Sequence, residues 1–364
     1  GLLGHSWNLG STFELDPRRD GEGYLIGAWQ PAVDRSRFGS YGFFNAIPAM
    51  RAPLIQRLLD LVSHFRRDRS LQRQEGWAKR FSTLAISFLG LIMVTSGCLS
   101  PKLERRETIR YGQRKGHDLT YELMQPKRSN GLGVVVMVSG SWKSNPDSFT
   151  PNIGRAFLKR GYTLLALSHL SQPKATIPEI VEDITQGMRH IRQHASDYGI
   201  TAKSLGVTGA SAGGHLALMM ATRGKEWTPD GDPMVHAAAV FFPVTDMHRL
   251  GKIEERLADG GPPESFRKYF GIPEGDTAAW KVLATDLSPL KHVSPDLCPV
   301  LMIHGDDDEV VRWEQSQWFL EAAQDQGVTA KLITKPGKGH GWATILFDMN
   351  DLARWFDQHL NHAP

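Results

Sequence analysis

Val207-Thr208-Gly209-Ala210-Ser211-Ala212-Gly213-Gly214-His215 is an apolar strand end that runs into Gly-x-Ser-x-Gly and then into an alanine-rich helix. A serine on so tight a strand-to-helix turn is thrust out of the sheet, where its hydroxyl can attack a carbonyl carbon. The small residues Gly209, Ala210, Ala212 and Gly213 let the backbone bend sharply and bring helix and strand close together. A Gly-rich turn of this shape can equally cradle a phosphate at the helix N-terminus. Reading it as a nucleophile therefore requires an acid and a histidine further along the chain.

Both follow. Pro299-Val300-Leu301-Met302-Ile303-His304-Gly305 reads as a short buried strand that breaks at glycine, with Asp306-Asp307-Asp308-Glu309-Val310-Val311 in the loop behind it. A second strand, Val328-Thr329-Ala330-Lys331-Leu332-Ile333-Thr334, leads into Lys335-Pro336-Gly337-Lys338-Gly339-His340-Gly341-Trp342, so a histidine stands in a Gly-rich loop. Ser211 alone is a poor nucleophile, and a base must take its proton as the carbonyl is attacked. His340 suits that role, because imidazole is the side chain that ordinarily gains and loses a proton near neutral pH. The acid that would orient the imidazole is one of Asp306, Asp307 and Asp308, with Asp246, behind the apolar run 237–242, as the outside alternative.

The chain order Ser, Asp, His is that of the α/β-hydrolases. Ser-Ala-Gly-Gly-His at 211–215, His-Gly-x-x-Asp-x-x-Val at 304–311 and Gly-x-Gly-His-Gly-Trp at 337–342 resemble bacterial α/β-hydrolase esterases. The nearest groups are the acetyl-xylan and feruloyl esterase-like enzymes and the related prolyl oligopeptidase catalytic domains. The resemblance covers roughly residues 105 to 360. In the family pattern the acid stands three residues after the glycine, which selects Asp308 and leaves Asp306 and Asp307 as loop-capping or solvated carboxylates. The resemblance implies a serine hydrolase that cleaves carboxylic esters, such as acetyl, short-acyl or feruloyl esters, through an acyl-enzyme and without a cofactor. Small-molecule or polysaccharide esters are the expected substrates. A peptidase of the prolyl oligopeptidase type and a non-catalytic binding protein on a hydrolase scaffold are the alternatives. All three triad residue types are present, which favours catalysis.

An oxyanion hole should complete the site, because two preorganised N–H donors in such a hole stabilise the developing charge by roughly 3 to 4 kcal/mol each. One donor is expected to be the Ala212 amide, next after the nucleophile. The other should come from the loop after Val134-Val135-Val136-Met137-Val138, where relatives carry His-Gly-Gly-x-Trp. This chain has Ser139-Gly140-Ser141-Trp142 instead, so the register leaves Ser141 and Gly140 both open. His215, one turn into the helix behind the nucleophile, reads as a packing or capping residue, and His304 as a satisfied core or loop histidine. The chain has no His-Glu-x-x-His, no Cys-x-x-Cys and no calcium-loop spacing, so no metal is implied.

Around these motifs strands are predicted over 108–111, 119–124, 133–138, 163–168, 205–208, 237–242, 300–304 and 330–334, and helices over 150–160, 177–195, 213–222, 312–326 and 344–359. The inner strands are continuous apolar runs, as strands buried on both faces should be. The expected fold is an α/β-hydrolase fold: a mostly parallel eight-stranded sheet with helices on both faces. The stretch from about 246 to 293, rich in Gly, Pro, Glu and Arg, is read as a short helical cap insertion. Phe266, Tyr269, Phe270 and Trp280 would either line the pocket beneath it or glue it to the core.

The catalytic domain is assigned to 99–364, a stretch of about 260 residues that can bury an ample core without disulfides. A net charge of +3, with no basic patch interleaved with aromatics, argues against a nucleic-acid partner. Ahead of the domain, Lys79-Arg80 precede an apolar run from Phe81 to Val94 that ends in Thr95-Ser96-Gly97-Cys98. A basic start, a short apolar stretch and a small-residue exit match a signal peptide over 76–98. Ser-Gly-Cys resembles a bacterial lipobox, which implies lipidation at Cys98, membrane contact through that anchor and an exported location, as a cell-envelope lipoprotein, periplasmic or secreted. Residues 1–75 are expected to be a poorly ordered or mis-read extension, with translation starting nearer Leu71.

Overall fold

In the computed structural model, residues 101–250, 264–273 and 275–360 are described. Cys98, the stretch over 76–98 read as a signal peptide and the extension before it lie outside the described residues.

Among the described residues eight strands form one sheet: β1 (Leu103–Arg114), β2 (His117–Pro126), β3 (Gly133–Met137), β4 (Thr163–Leu167), β5 (Leu205–Ala210), β6 (Ala237–Phe241), β7 (Val300–Gly305) and β8 (Ala330–Lys335). Their order is β1-β2-β4-β3-β5-β6-β7-β8. β2 runs antiparallel to both its neighbours, and every other pairing is parallel. β1 and β2 extend well beyond their predicted cores. They are joined through Lys115 and Gly116, both with positive φ (49° and 78°), the tight hairpin turn whose twist suits flanking strands. From β3 to β7 almost every residue is buried, which is why these strands read as unbroken apolar runs rather than alternating ones.

Helices cover both faces. One face carries α2 (Ile177–Gln193), α3 (Ala212–Arg223), α4 (Thr277–Asp286) and α5 (Glu314–Asp325), with Ile180, Ile184, Leu216, Trp280 and Phe319 in its core. The other carries the short α1 (Arg155–Leu158) and α6 (Ile345–His359), whose Phe157, Leu352 and Phe356 pack together. α2 begins in a capping box: the Thr176 hydroxyl accepts from Glu179 N, and the Glu179 carboxylate accepts from Thr176 N.

Two expectations are corrected. The helix predicted over 150–160 shrinks to α1, because Pro151 lacks an amide donor and Gly154 disfavours helix, so 151–154 form turns. α2 stops at Gln193 and continues as a 3-10 turn, Ala195–Tyr198, closed by Gly199 at φ 61°.

The described parts of the insertion are helical, as expected: 3-10 turns at Met247–Arg249, Glu264–Tyr269 and Pro289–His292 flank α4. Two of its described rings do not face a pocket. Trp280 and Phe270 are 1% and 2% exposed, meet edge-to-face with centroids 4.6 Å apart, and belong to the core beneath α2 and α3. The insertion is thus fastened to the core by buried aromatic area. Truncation of Trp280 to Ala should destabilise the protein by about 3–5 kcal/mol in urea unfolding; a loss no larger than the ~0.5 kcal/mol of a surface substitution would contradict its core position.

Candidate active site

The turn that carries Ser211 is built from backbone constraints. Ser211, between β5 and α3, holds φ 56° and ψ −121°, a conformation that costs a non-glycine residue about 1–3 kcal/mol. Three contacts hold it: Ser211 N donates to Phe241 O at 3.0 Å, His215 N donates to Ser211 O at 2.9 Å, and Gly213 N donates to Ser139 O at 3.1 Å. A Cβ on Gly213 would collide with Met137 O, so only glycine lets α3 start this close to the end of β3. The outcome is a partly exposed hydroxyl at the carboxyl end of the sheet, the usual place for ligands in open α/β sheets.

His340 and Asp308 reach the same point from neighbouring strands. Ser211 Oγ lies 3.0 Å from His340 Nε2, and His340 Nδ1 lies 2.8 Å from Asp308 Oδ2. The carboxylate accepts, so Nδ1 carries the hydrogen and Nε2 offers its lone pair to the serine hydroxyl. Phe242 flanks the imidazole, with ring centroids 4.4 Å apart. Asp308 is buried, and its Oδ1 accepts from Val310 N and Val311 N, each at 2.9 Å. Burial alone would raise its pKa, but hydrogen bonds from His304 and His340, the His340 charge and the Val311 amide hold it well below the usual carboxylate range.

The competing aspartates are engaged elsewhere. Asp306 Oδ1 accepts from Gly337 N at 2.6 Å, which ties the histidine loop down. Asp307 donates its amide to Lys338 O at 3.0 Å. Asp246 caps the 3-10 turn after it by accepting from His248 N at 2.9 Å. His304 is satisfied in the core, as expected: Nε2 faces Val311 O at 2.8 Å and Asp308 Oδ2 at 3.3 Å, both acceptors, so Nδ1 accepts from the Ser316 hydroxyl at 2.8 Å.

Of the two residues left open for the second oxyanion donor, Gly140 is excluded as a free amide. Its N–H donates to Lys143 O, and Lys143 N donates back to Gly140 O, both at 2.9 Å. Between them Ser141 and Trp142 both take positive φ, 49° and 55°, closing a tight turn. Gly140 C=O points into that bridge, so the Ser141 N–H in the same trans peptide plane points out of it. Among the described residues Ser141 N has no hydrogen-bond partner. Ala212 N heads α3 and, as a first-turn amide, has no carbonyl of its own helix to bond.

Sequence reading missed what holds this turn. The carbonyls of Ser141 and Trp142 accept from Gln172 Nε2 (3.3 Å) and Gln172 N (3.1 Å). The Ser139 hydroxyl donates to His169 Nε2 at 2.9 Å, because His169 Nδ1 faces Leu170 O and carries the ring hydrogen; burial pushes that imidazole down to about 4. No motif flags Gln172 or His169, since each acts from about thirty residues away in sequence. Two surface hollows, of about 120 and 290 Å³, border α6 and α2 and include none of Ser211, His340 and Asp308. Among the described residues no cluster of His, Cys, Asp and Glu converges as a metal site.

Residues 122–322 match the BD-FAE family model. The chain is 25% identical over 245 residues to a probable isoprenylcysteine alpha-carbonyl methylesterase of Arabidopsis thaliana, an overlap of 65% of this chain and 50% of that protein. It is 28% identical over 166 residues to the probable carboxylic ester hydrolase LipM of Mycobacterium tuberculosis, 44% of this chain and 37% of that one. The chain thus spans about half the length of the curated relatives it matches. Its fold is shared with a truncated carbohydrate esterase from gut microbiota, at a TM-score of 0.58 and 22% identity over 71% of this chain and 99% of that one. A thermophilic esterase of Thermogutta terrifontis superposes at a TM-score of 0.57 and 24% identity, covering 71% and 95%. These neighbours establish the α/β-hydrolase fold.

The depressed Asp308 carboxyl gives a signed expectation. The stability it supplies is complete above its unfolded pKa, about 4, and is lost as pH falls below that toward the lower folded value. Urea unfolding of the parent and of Asp308→Asn should therefore show a stability gap at neutral pH that narrows in acid. A gap that does not change with pH would contradict the assignment.

Proposed function

Since the chain belongs to the BD-FAE family, we propose that it is a serine hydrolase that cleaves carboxylic esters through an acyl-enzyme on Ser211. The observation that carries this is the unbroken relay from the Ser211 hydroxyl through His340 to Asp308, with contacts of 3.0 and 2.8 Å, on a serine held in a strained turn.

In this mechanism Ser211 Oγ bonds to the ester carbonyl carbon as its proton passes to His340 Nε2. The ionised Asp308 stabilises the imidazolium, and the Ala212 and Ser141 amides take the charge that grows on the carbonyl oxygen. Collapse of the tetrahedral intermediate breaks the carbon–oxygen bond to the leaving alcohol, which receives the proton from His340. Water then attacks the acyl group, His340 takes a proton from it, and return of that proton to Ser211 Oγ frees the acid. The chemistry calls for no cofactor.

Short acyl groups, including acetyl or feruloyl groups on a polysaccharide, are the substrates this reading favours. Support comes from the family and from the fold shared with a carbohydrate esterase of the gut microbiota. A lipid anchor at Cys98 would place the enzyme at the cell envelope, where polymers are met; the basic and apolar run before Ser96-Gly97-Cys98 supports it.

Hydrolysis of p-nitrophenyl acetate should fall at least about 10⁴-fold in Ser211→Ala, in line with loss of a triad nucleophile. Equal rates for parent and variant would remove the assignment. A panel of acetylated xylan, methyl ferulate and dipeptide amides should rank esters above amides, and preferential cleavage of amides would favour a peptidase. Mass analysis of protein expressed in a bacterial host should find a diacylglyceryl group on Cys98, whereas an unmodified, uncleaved chain would contradict the anchor.

A further inference from the structure

Trp142 occupies a backbone position that a bulky side chain rarely takes. With Ser141 it forms the central pair of a turn in which both residues have positive φ, a turn for which Asn-Gly is the favoured pair. A bulky residue there is strained, and such strain persists only where the surroundings over-determine it. The indole is 2% exposed, and its Nε1–H donates to His215 Nδ1 at 3.2 Å, with the two rings edge-on at 5.6 Å.

His215 is committed on both nitrogens. Its Nε2 faces Leu287 O at 2.8 Å, so that nitrogen carries the hydrogen and Nδ1 must accept from Trp142. The ring is wholly buried, and burial pushes its pKa down to about 4, which keeps it neutral and able to accept at neutral pH. Its backbone belongs to α3, one turn beyond the nucleophile, where His215 N bonds Ser211 O. Leu287 caps the end of α4, so the imidazole also ties the inserted segment to α3.

The consequence is geometric. The Ala212 amide stands on α3, and the Ser141 amide stands on a turn whose next residue is gripped by a side chain of the same helix. We propose that His215 and Trp142 are positioning residues that fix the oxyanion turn against the nucleophile helix and so set the spacing of the two amide donors. This rests on the esterase reading above. Neither residue touches the reacting atoms. They act through the Ser141 peptide, in a kind of site where a misplacement of about 1 Å can cost about 10²-fold in rate.

The test compares Trp142→Phe, which keeps a packed ring and deletes the donor, with His215→Leu, which deletes both hydrogen bonds, and with His215→Gln, which keeps one acceptor and one donor on a planar group. Rates for p-nitrophenyl acetate are taken per active site titrated with an organophosphate, so that misfolded protein does not count. The expected result is a fall in kcat of at least about tenfold in Trp142→Phe and in His215→Leu, with KM nearly unchanged, as for loss of part of an oxyanion donor. Affinity for a trifluoromethyl ketone, which mimics the tetrahedral intermediate, should fall in step with kcat/KM. His215→Gln should recover most of the rate, and the double variant Trp142→Phe/His215→Leu should be no slower than the slower single one. A kcat per titrated site equal to the parent's in both singles, or additive losses in the double variant, would overturn the proposal while an active parent leaves the esterase reading intact. A parent without esterase activity would overturn both.

Discussion

One imidazole must touch a hydroxyl on one strand and a carboxylate on another while standing on a loop behind a third. Ser211 follows β5 and Asp308 follows β7, with β6 between them. Adjacent strands lie about 4.8 Å apart, so the two side chains start about 10 Å from each other across the sheet. His340 comes from behind β8, one strand farther out. Its loop has to fold back over the acid loop, and the chain is shaped for that. Gly305, at the end of β7, lies so close to Lys338 O that a Cβ would collide with it. Lys338 O accepts from Asp307 N at 3.0 Å, and Asp306 Oδ1 accepts from Gly337 N at 2.6 Å. The two aspartates beside the acid are therefore fastenings for the histidine loop.

Electrostatics follows from that fold-back. Asp308 is buried, yet it stays ionised because two histidine N–H groups and two backbone amides point at it. His340 is the more exposed of the two, with 22% of its side chain open to solvent, which suits the proton-carrying role proposed for it. β6 supplies no triad member but supports the relay: Phe241 O accepts from Ser211 N, and the Phe242 ring lies against His340. The strain at Ser211, the glycines in contact with backbone oxygens and the low pKa of Asp308 serve one requirement, a preassembled contact between three loops.

The architecture was legible because its signals are local. Strands buried on both faces leave unbroken apolar runs, and a nucleophile turn must use small residues, so β3 to β7 and the start of α3 fall close to where the residues place them. The ends of β1 and β2 and the first half of 150–160 were not legible, since edge pairing and a proline–glycine pair decide them. Among three consecutive aspartates, only the path of the loop says which one meets the imidazole. The turn proposed to hold the oxyanion was the hardest part to read. Choosing between Gly140 and Ser141 depends on a bridge to Lys143, and the turn's anchors, Gln172, His169 and His215, lie 30 to 73 residues away. His215 reads as a packing or capping residue because nothing near it in sequence announces the indole it holds.

The most direct test of a nucleophilic Ser211 is to catch the covalent intermediate. Protein mixed with p-nitrophenyl acetate, quenched in acid within the first turnover and digested, should yield the peptide bearing Ser211 with one acetyl group on that hydroxyl. Steady release of p-nitrophenol with Ser211 unmodified at every quench time, or with the acetyl group on a different side chain, would contradict it.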